Sequence, residues 1–156
     1  MEDTIQKLLI ATKEDVQQGK IPLSYCGGNR PGIIASWDNG KVRLFDQFFE
    51  DHDPLSRKLL LYHEFGHEVT RIAFAKHSEE TNRIIALFRE SHMMYYNPFG
   101  SSPRPDEMIA DTYAAAMVSP GQANMFEESG RYEKLTNFVL KIATEAGLPL
   151  PTWYSP

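Results

Sequence analysis

The pentapeptide His63-Glu64-Phe65-Gly66-His67 lies within residues 54–75, whose pattern predicts one long helix. Two histidines four positions apart project from nearly the same face of a helix, so both imidazole rings can bind one metal ion. Glu64 lies between them, where its carboxylate can accept a proton from a metal-bound water molecule. This stretch therefore predicts the core of a zinc hydrolase site, held on one long helix.

A catalytic zinc site needs a third protein ligand and leaves one position for water. A histidine six residues after His67 would complete the H-E-x-x-H-x-x-G-x-x-H class. Ala73 occupies that position, and Thr70 stands where that class has glycine. The sequence therefore excludes this class, and the third ligand must come from elsewhere in the chain.

The next acidic candidates lie on a second predicted helix, which begins at Pro105 and ends at Ser119-Pro120. Glu107 and Asp111 are four positions apart and share one face of that helix. We expect Glu107 to be the third metal ligand, with Asp106 as the alternative. We expect Asp111 to accept the free ring N–H of a ligand histidine, which would set the tautomer of that ring.

These motifs carry a family resemblance. H-E-x-x-H followed downstream by E-x-x-x-D resembles the pattern of the gluzincin metallopeptidases. The local sequence is most similar to the phage and mobile-element peptidases of the ImmA/IrrE type. The similar segments are residues 57–67, Glu107-Met108-Ile109-Ala110-Asp111 and Ser119-Pro120. The spelling H-E-F-G-H also resembles the catalytic domain of anthrax lethal factor and its relatives. The resemblance covers about residues 30–120.

The resemblance does not identify the residue that donates a hydrogen bond to the transition state. Some gluzincins use a histidine well after the third ligand, but no histidine follows His92. Relatives of lethal factor use a tyrosine seven residues before the ligand glutamate, and Gly100 occupies that position here. The candidates are therefore Tyr95 and Tyr96, slightly upstream, with Tyr113 as a weaker one.

Length and composition predict one globular domain over residues 1–156. The chain is 42% hydrophobic, which is ordinary for a globular protein. The formal net charge of −5 and a pI near 5.5 leave no basic surface for direct nucleic-acid binding. No apolar run is long enough to cross a membrane, and the first residues lack a signal-peptide pattern.

Cys26 is the single cysteine, so it cannot form a disulfide within the chain, and a cytoplasmic setting is expected. It lies in a Gly-rich segment ahead of the zinc motif. Its thiolate could occupy the open zinc position and hold the enzyme latent. The alternative is a cysteine without a special role.

Hydrophobic periodicity, turn signals and caps predict an α+β fold. A small hairpin, residues 33–37 and 41–45 joined by Asp38-Asn39-Gly40, would pack on the motif helix, and the C-terminal half would be helical. This agrees with the zincin-like fold that the resemblance implies. The predicted helices cover residues 3–18, 54–75, 79–94, 105–118 and 132–146, with residues 22–32 and 97–105 as loops. The predicted core includes Leu59, Leu60, Leu61, Ile72 and Phe74.

Three functions are compatible with the sequence. The first is a zinc-dependent endopeptidase that cleaves one regulatory protein, such as a repressor, as the ImmA/IrrE resemblance implies. The second is a toxin- or effector-like protease that acts on a host protein. The third is an inactive, zinc-stabilised binding module, which Glu64 argues against because a structural zinc site has no need of a base. The sequence predicts a protein or peptide substrate and leaves the oligomeric state open.

Overall fold

The computed structural model describes residues 2–21, 23–25, 28, 34–38, 41–90, 104–118 and 131–156. These residues form a mostly helical structure with one small sheet, which confirms the α+β class at this level. The helices are α1 (Glu2–Leu8), α2 (Lys13–Gln17), α3 (Asp46–Glu50), α4 (Pro54–Lys76), α5 (Ser78–Glu90), α6 (Pro105–Val118) and α7 (Arg131–Ala146). The strands are β1 (Ser24–Tyr25), β2 (Ala35–Asp38) and β3 (Lys41–Leu44).

The N-terminal segment forms two helices where the periodicity predicts one, over residues 3–18. The break has a local cause at Thr12, which caps α2. The Thr12 hydroxyl accepts a hydrogen bond from the Asp15 amide at 3.3 Å, and the Asp15 carboxylate accepts one from the Thr12 amide at 3.0 Å. This reciprocal capping starts a new helix at residue 13. The prediction of a single helix was wrong because it followed the hydrophobic periodicity and took no account of this cap.

The sheet has the strand order β1-β3-β2. β2 and β3 form the predicted antiparallel hairpin, with Ala35 opposite Leu44 and Asp38 opposite Lys41. The tight-turn residues 39–40 lie outside the described residues. β1 pairs parallel with β3 within residues 22–32, which were predicted as a loop. A strand of two residues is too short to show the period of two that identifies strands in a sequence.

Helix α4 carries the pentapeptide and lies at the centre of the described structure. It begins as predicted, with the Asp53 carboxylate accepting a hydrogen bond from the Leu55 amide and Pro54 in the first turn. One side of α4 packs on the sheet, where the rings of Phe65 and Trp37 meet edge to face at 6.3 Å. The other side packs on α6 and α7. The helix therefore joins the sheet to the C-terminal helices.

Helix α6 is buried along most of its length, from Met108 to Ala116. Four of its buried residues are alanines, Ala110, Ala114, Ala115 and Ala116, and these small side chains allow the backbone of α6 to lie close to α4. Helix α7 covers α4, α5 and α6 and ends before Gly147, whose φ of +71° suits glycine. The predicted bounds of α6 and α7 agree with the structure to within one residue, whereas residues 91–94 of the predicted 79–94 helix lie outside the described residues.

The predicted core on α4 is confirmed in part. Leu61 and Ile72 are buried, Leu59 and Leu60 are half-buried, and Phe74 is 36% exposed. Phe74 lies near the end of α4, where residues 74–76 are all exposed. Among the described helices, none is both long and apolar enough to span a bilayer.

Candidate metal centre

His63 and His67 lie in the middle of α4, one helical turn apart. Their rings meet edge to face, with centroids 4.8 Å apart. Both side chains are largely protected from solvent, with 8% and 20% of the side-chain surface exposed. The four-residue spacing thus places two imidazole groups side by side on the face of α4 that packs against α6, as expected.

Glu107 reaches the two histidines from the first turn of α6. Its Oε2 lies 3.1 Å from Nε2 of His63, and its Oε1 lies 3.7 Å from Nε2 of His67. Donor atoms of all three residues lie within 4.8 Å of one another. Two ligand atoms of one tetrahedral zinc ion, each about 2.1 Å from the metal, are separated by about 3.4 Å. The group therefore has the donor types and the spacing that can hold such an ion.

Asp111 lies one turn further along α6 and contacts the other side of His63. Its Oδ1 is 2.5 Å from Nδ1 of His63, and its side chain is fully buried. A carboxylate in this position keeps the proton on Nδ1 and leaves Nε2 facing Glu107. The second carboxylate of the E-x-x-x-D motif thus has the contact that the sequence predicts for it.

The two histidines differ in their pKa because only His63 contacts Asp111. Burial lowers the pKa of His63, but the hydrogen bond and charge of Asp111, together with Glu64 and Glu107, outweigh burial and raise it above its ordinary value. Burial and the neighbouring His63 lower the pKa of His67 to about 4. His67 is therefore neutral near pH 7, with a free ring nitrogen, as metal binding requires.

Glu64 is 5% exposed and lies beside the ligand group. Burial is the main cause that raises its pKa to about 7, Glu107 adds to the shift, and His63 opposes it. A carboxyl group with a pKa near neutrality can accept and release a proton at physiological pH. The position between the two histidines therefore holds a group suited to general base catalysis.

Asp106, the alternative third ligand, is not part of the donor group. Its carboxylate is 43% exposed and lies 3.4 Å from Nη2 of Arg104. Arg104 also lies 3.6 Å from Oε1 of Glu107, so it brings a positive charge to the edge of the site. Sequence reasoning missed Arg104 because it lies in a Pro-rich loop just before α6, without a motif of its own.

Of the three tyrosines that are candidate donors to the transition state, Tyr95 and Tyr96 lie outside the described residues, as do Cys26 and Gly100. Tyr113 is described, and it belongs to the core. Its side chain is fully buried, and its hydroxyl donates a hydrogen bond to the carbonyl of Pro149 at 2.8 Å. The ring also packs edge to face on Tyr62, at 6.0 Å.

Of the other histidines, the two that the structure describes, His52 and His77, take no part in this group. Nε2 of His77, at the end of α4, lies 2.8 Å from Glu145 on α7. His52 lines a cavity of about 510 Å³ at the N-terminal end of α4, together with Arg57. His92 lies outside the described residues.

Comparisons with family profiles, curated proteins and solved structures give no match for this chain. The likeness to the gluzincins therefore rests on the motif residues themselves.

Proposed function

We propose that this chain is a zinc-dependent endopeptidase that hydrolyses a peptide bond in a specific protein substrate. The observation that carries the proposal is the convergence of His63, His67 and Glu107 within 4.8 Å, with Glu64 buried beside them. Two histidines and one glutamate are a ligand set of catalytic zinc sites. A structural zinc site would use four protein ligands and would have no need of Glu64.

In this proposal His63, His67 and Glu107 hold the ion. A bound zinc ion would supply Lewis-acid activation of water and of the scissile carbonyl group. Asp111 keeps the ring of His63 in the orientation and tautomer that direct Nε2 toward the ion. Its buried carboxylate also increases the basicity of that ring.

Glu64 acts as the general base. It takes a proton from the attacking water molecule and then passes that proton to the leaving amine. The pKa near 7 supports both steps, because a group with this pKa is neither too weak a base nor too weak an acid at neutral pH. The low exposure of Glu64 keeps bulk water away from the proton transfer.

The substrate proposed is an extended protein segment that pairs with the edge of β2. Within the described strands, β2 pairs on one side only, with β3. Trp37 of β2 contacts Phe65, the residue next to Glu64 on α4, and this contact joins the strand to the turn of α4 that carries the general base. An exposed strand edge binds an extended peptide through backbone hydrogen bonds, and side-chain pockets then provide the specificity.

Charge that develops on the carbonyl oxygen needs a donor as well as the ion. Tyr95 and Tyr96 remain the candidates from the sequence, and the structure adds Arg104 as a third, because its guanidinium lies 3.6 Å from Glu107. The preferred substrate is a regulatory protein such as a repressor in the cytoplasm of a phage or mobile-element host. A host protein cleaved by an effector is the alternative.

The test compares peptide ends in the proteome of cells that express the wild type, Glu64→Gln or Glu68→Gln. Glu68 is the matched control, because it makes the same change one turn along α4, where the carboxylate pairs with Arg71. We expect Glu68→Gln to retain the cut sites. Glu64→Gln should retain zinc and lose cleavage by about 10²–10⁴-fold. Equal cleavage by Glu64→Gln, or zinc binding without any cut site in the wild type, would contradict the proposal.

A further inference from the structure

Helices α4 and α6 lie very close together at Gly66. A Cβ atom on this residue would lie 2.7 Å from Cα, 2.8 Å from the carbonyl oxygen and 3.1 Å from the carbonyl carbon of Ala110. All three are backbone atoms, so they cannot rotate away as the end of a side chain can. Any residue other than glycine at this position therefore has to push the two helices apart.

This contact lies in the middle of the candidate metal centre. Gly66 is between His63 and His67 on α4, and Ala110 is between Glu107 and Asp111 on α6. Each of the four polar residues is within one helical turn of the contact. The distances from Glu107 and Asp111 to the imidazole nitrogens, 2.5–3.7 Å, therefore depend directly on the separation that Gly66 allows.

A second, independent contact ties the same helices together. The Thr70 hydroxyl lies 3.1 Å from the carbonyl oxygen of Asp106, the residue before Glu107, and 3.3 Å from that of Gly66. Thr70 is buried, with 8% of its surface exposed. The hydroxyl donates across the helix interface to the first turn of α6, so it fixes the register of the turn that carries Glu107.

We infer that Gly66 and Thr70 are positioning residues for the metal centre. This inference rests on the proposed function. Gly66 sets the distance between α4 and α6, and Thr70 sets their register. Together they bring Glu107 to the two histidines without either residue contacting the ion. The glycine of the pentapeptide is therefore required by the geometry of the site.

The first experiment measures the affinity of purified apo-protein for Zn²⁺ against a chromophoric chelator, and the absorption spectrum with Co²⁺. Gly66→Ala should weaken Zn²⁺ affinity by about 10–100-fold and change the Co²⁺ spectrum, because Glu107 moves away from the histidines. Val139→Ala is the control. It removes buried volume from α7, away from the ligands, and should leave Zn²⁺ affinity within about twofold. Equal affinity in Gly66→Ala, or an equal loss in the control, overturns the role of Gly66.

The second experiment uses Thr70, so the inference remains testable if Gly66→Ala does not fold. Thr70→Val keeps the shape and removes the donor, whereas Thr70→Ser keeps the hydroxyl. We expect Thr70→Val to weaken Zn²⁺ affinity by about 2–10-fold and Thr70→Ser to match the wild type. Equal affinity in Thr70→Val overturns the role of Thr70. A wild type that binds no Zn²⁺ refutes the metal centre itself, which is a separate result.

Discussion

Two polar clusters lie on α4, and they differ in whether the protein alone satisfies their charged groups. In the first, the Arg57 guanidinium donates to backbone carbonyls, with Nη1 reaching Leu8 at 3.1 Å and Ala11 at 2.9 Å, and Nη2 reaching Phe49 at 3.2 Å. The carbonyls of Leu8 and Phe49 belong to the last turns of α1 and α3, where the helix dipole favours a cation, and Ala11 lies between α1 and α2. This cluster is complete within the protein and holds the N-terminal helices to α4.

The second cluster, two turns further along α4, has an excess of carboxylates. Glu64, Glu107 and Asp111 surround His63 and His67, so the formal charge is −3 when all three carboxylates are ionised and both imidazoles are neutral. Buried charges in proteins are paired or coordinate metal ions. The comparison shows why one polar cluster on α4 has a structural role, whereas the other is suited to a divalent cation.

The largest expected effect is the loss of Zn²⁺ binding when a ligand of the second cluster is replaced, compared with the replacement of Arg57 in the first cluster. His63→Ala should abolish Zn²⁺ binding at micromolar metal, because it removes a ligand. Arg57→Met should instead bind Zn²⁺ normally once folded, and it should lower the free energy of unfolding by at least about 2 kcal/mol, because buried carbonyls lose their donor. Elemental analysis measures the bound Zn²⁺, and urea unfolding measures the free energy of unfolding. Loss of Zn²⁺ from folded Arg57→Met would show that the clusters are not independent.

The effect of metal removal on the melting temperature should also differ between variants of the two clusters. Zn²⁺ should raise the melting temperature of the wild type, because an ion that binds only the folded state stabilises it by mass action. His63→Ala should show no such rise, whereas Arg57→Met should show a rise similar to that of the wild type. A thermal scan with and without chelator measures this, and an unchanged melting temperature in the wild type would argue against the metal centre.

The contact between Asp111 and His63 should have an intermediate effect. Asp111→Ala should weaken Zn²⁺ affinity by about 10–100-fold while leaving all three ligands in place, so Zn²⁺ should still bind at high concentration. Asp106→Ala is the control on the same turn of α6 as Glu107, and it should leave affinity within about twofold because its carboxylate faces Arg104. A Zn²⁺ titration of Asp111→Ala that overlays that of the wild type would show that Asp111 has no role in the metal centre.

The smallest expected effect is the pH dependence of Zn²⁺ affinity. Protons compete with the ion for Nε2 of His63, whose pKa is raised above its ordinary 6.5, so affinity should begin to fall as the pH drops below that raised value. His67 should compete only near pH 4. In Asp111→Asn, burial lowers the pKa of His63 and the opposing carboxylate is gone, so the acid loss should begin at a lower pH. An onset at the same pH in both proteins would contradict this assignment.

Local patterns in the sequence were enough to predict much of α4 and α6. Asp53-Pro54 starts α4, Pro105 starts α6, and spacings of four place His63 with His67 and Glu107 with Asp111. These features depend on helix geometry and on capping within a few residues. They can therefore be predicted without knowledge of contacts between distant parts of the chain. The same reasoning failed where a local signal is weak, as at α3, whose first residue follows Phe45 without a side-chain cap.

Only the tertiary structure decides which groups meet across the two helices. The sequence leaves Asp106 and Glu107 as alternative ligands, because a shift of one position rotates a side chain by about 100° around the helix. The close contact of Gly66 with Ala110 and the hydrogen bond from Thr70 to Asp106 select Glu107. The difference in pKa between His63 and His67 likewise depends on burial and on Asp111, which is distant from both histidines in the chain. The motif therefore determines the kinds of ligand, and the packing of α4 on α6 determines their distances and protonation.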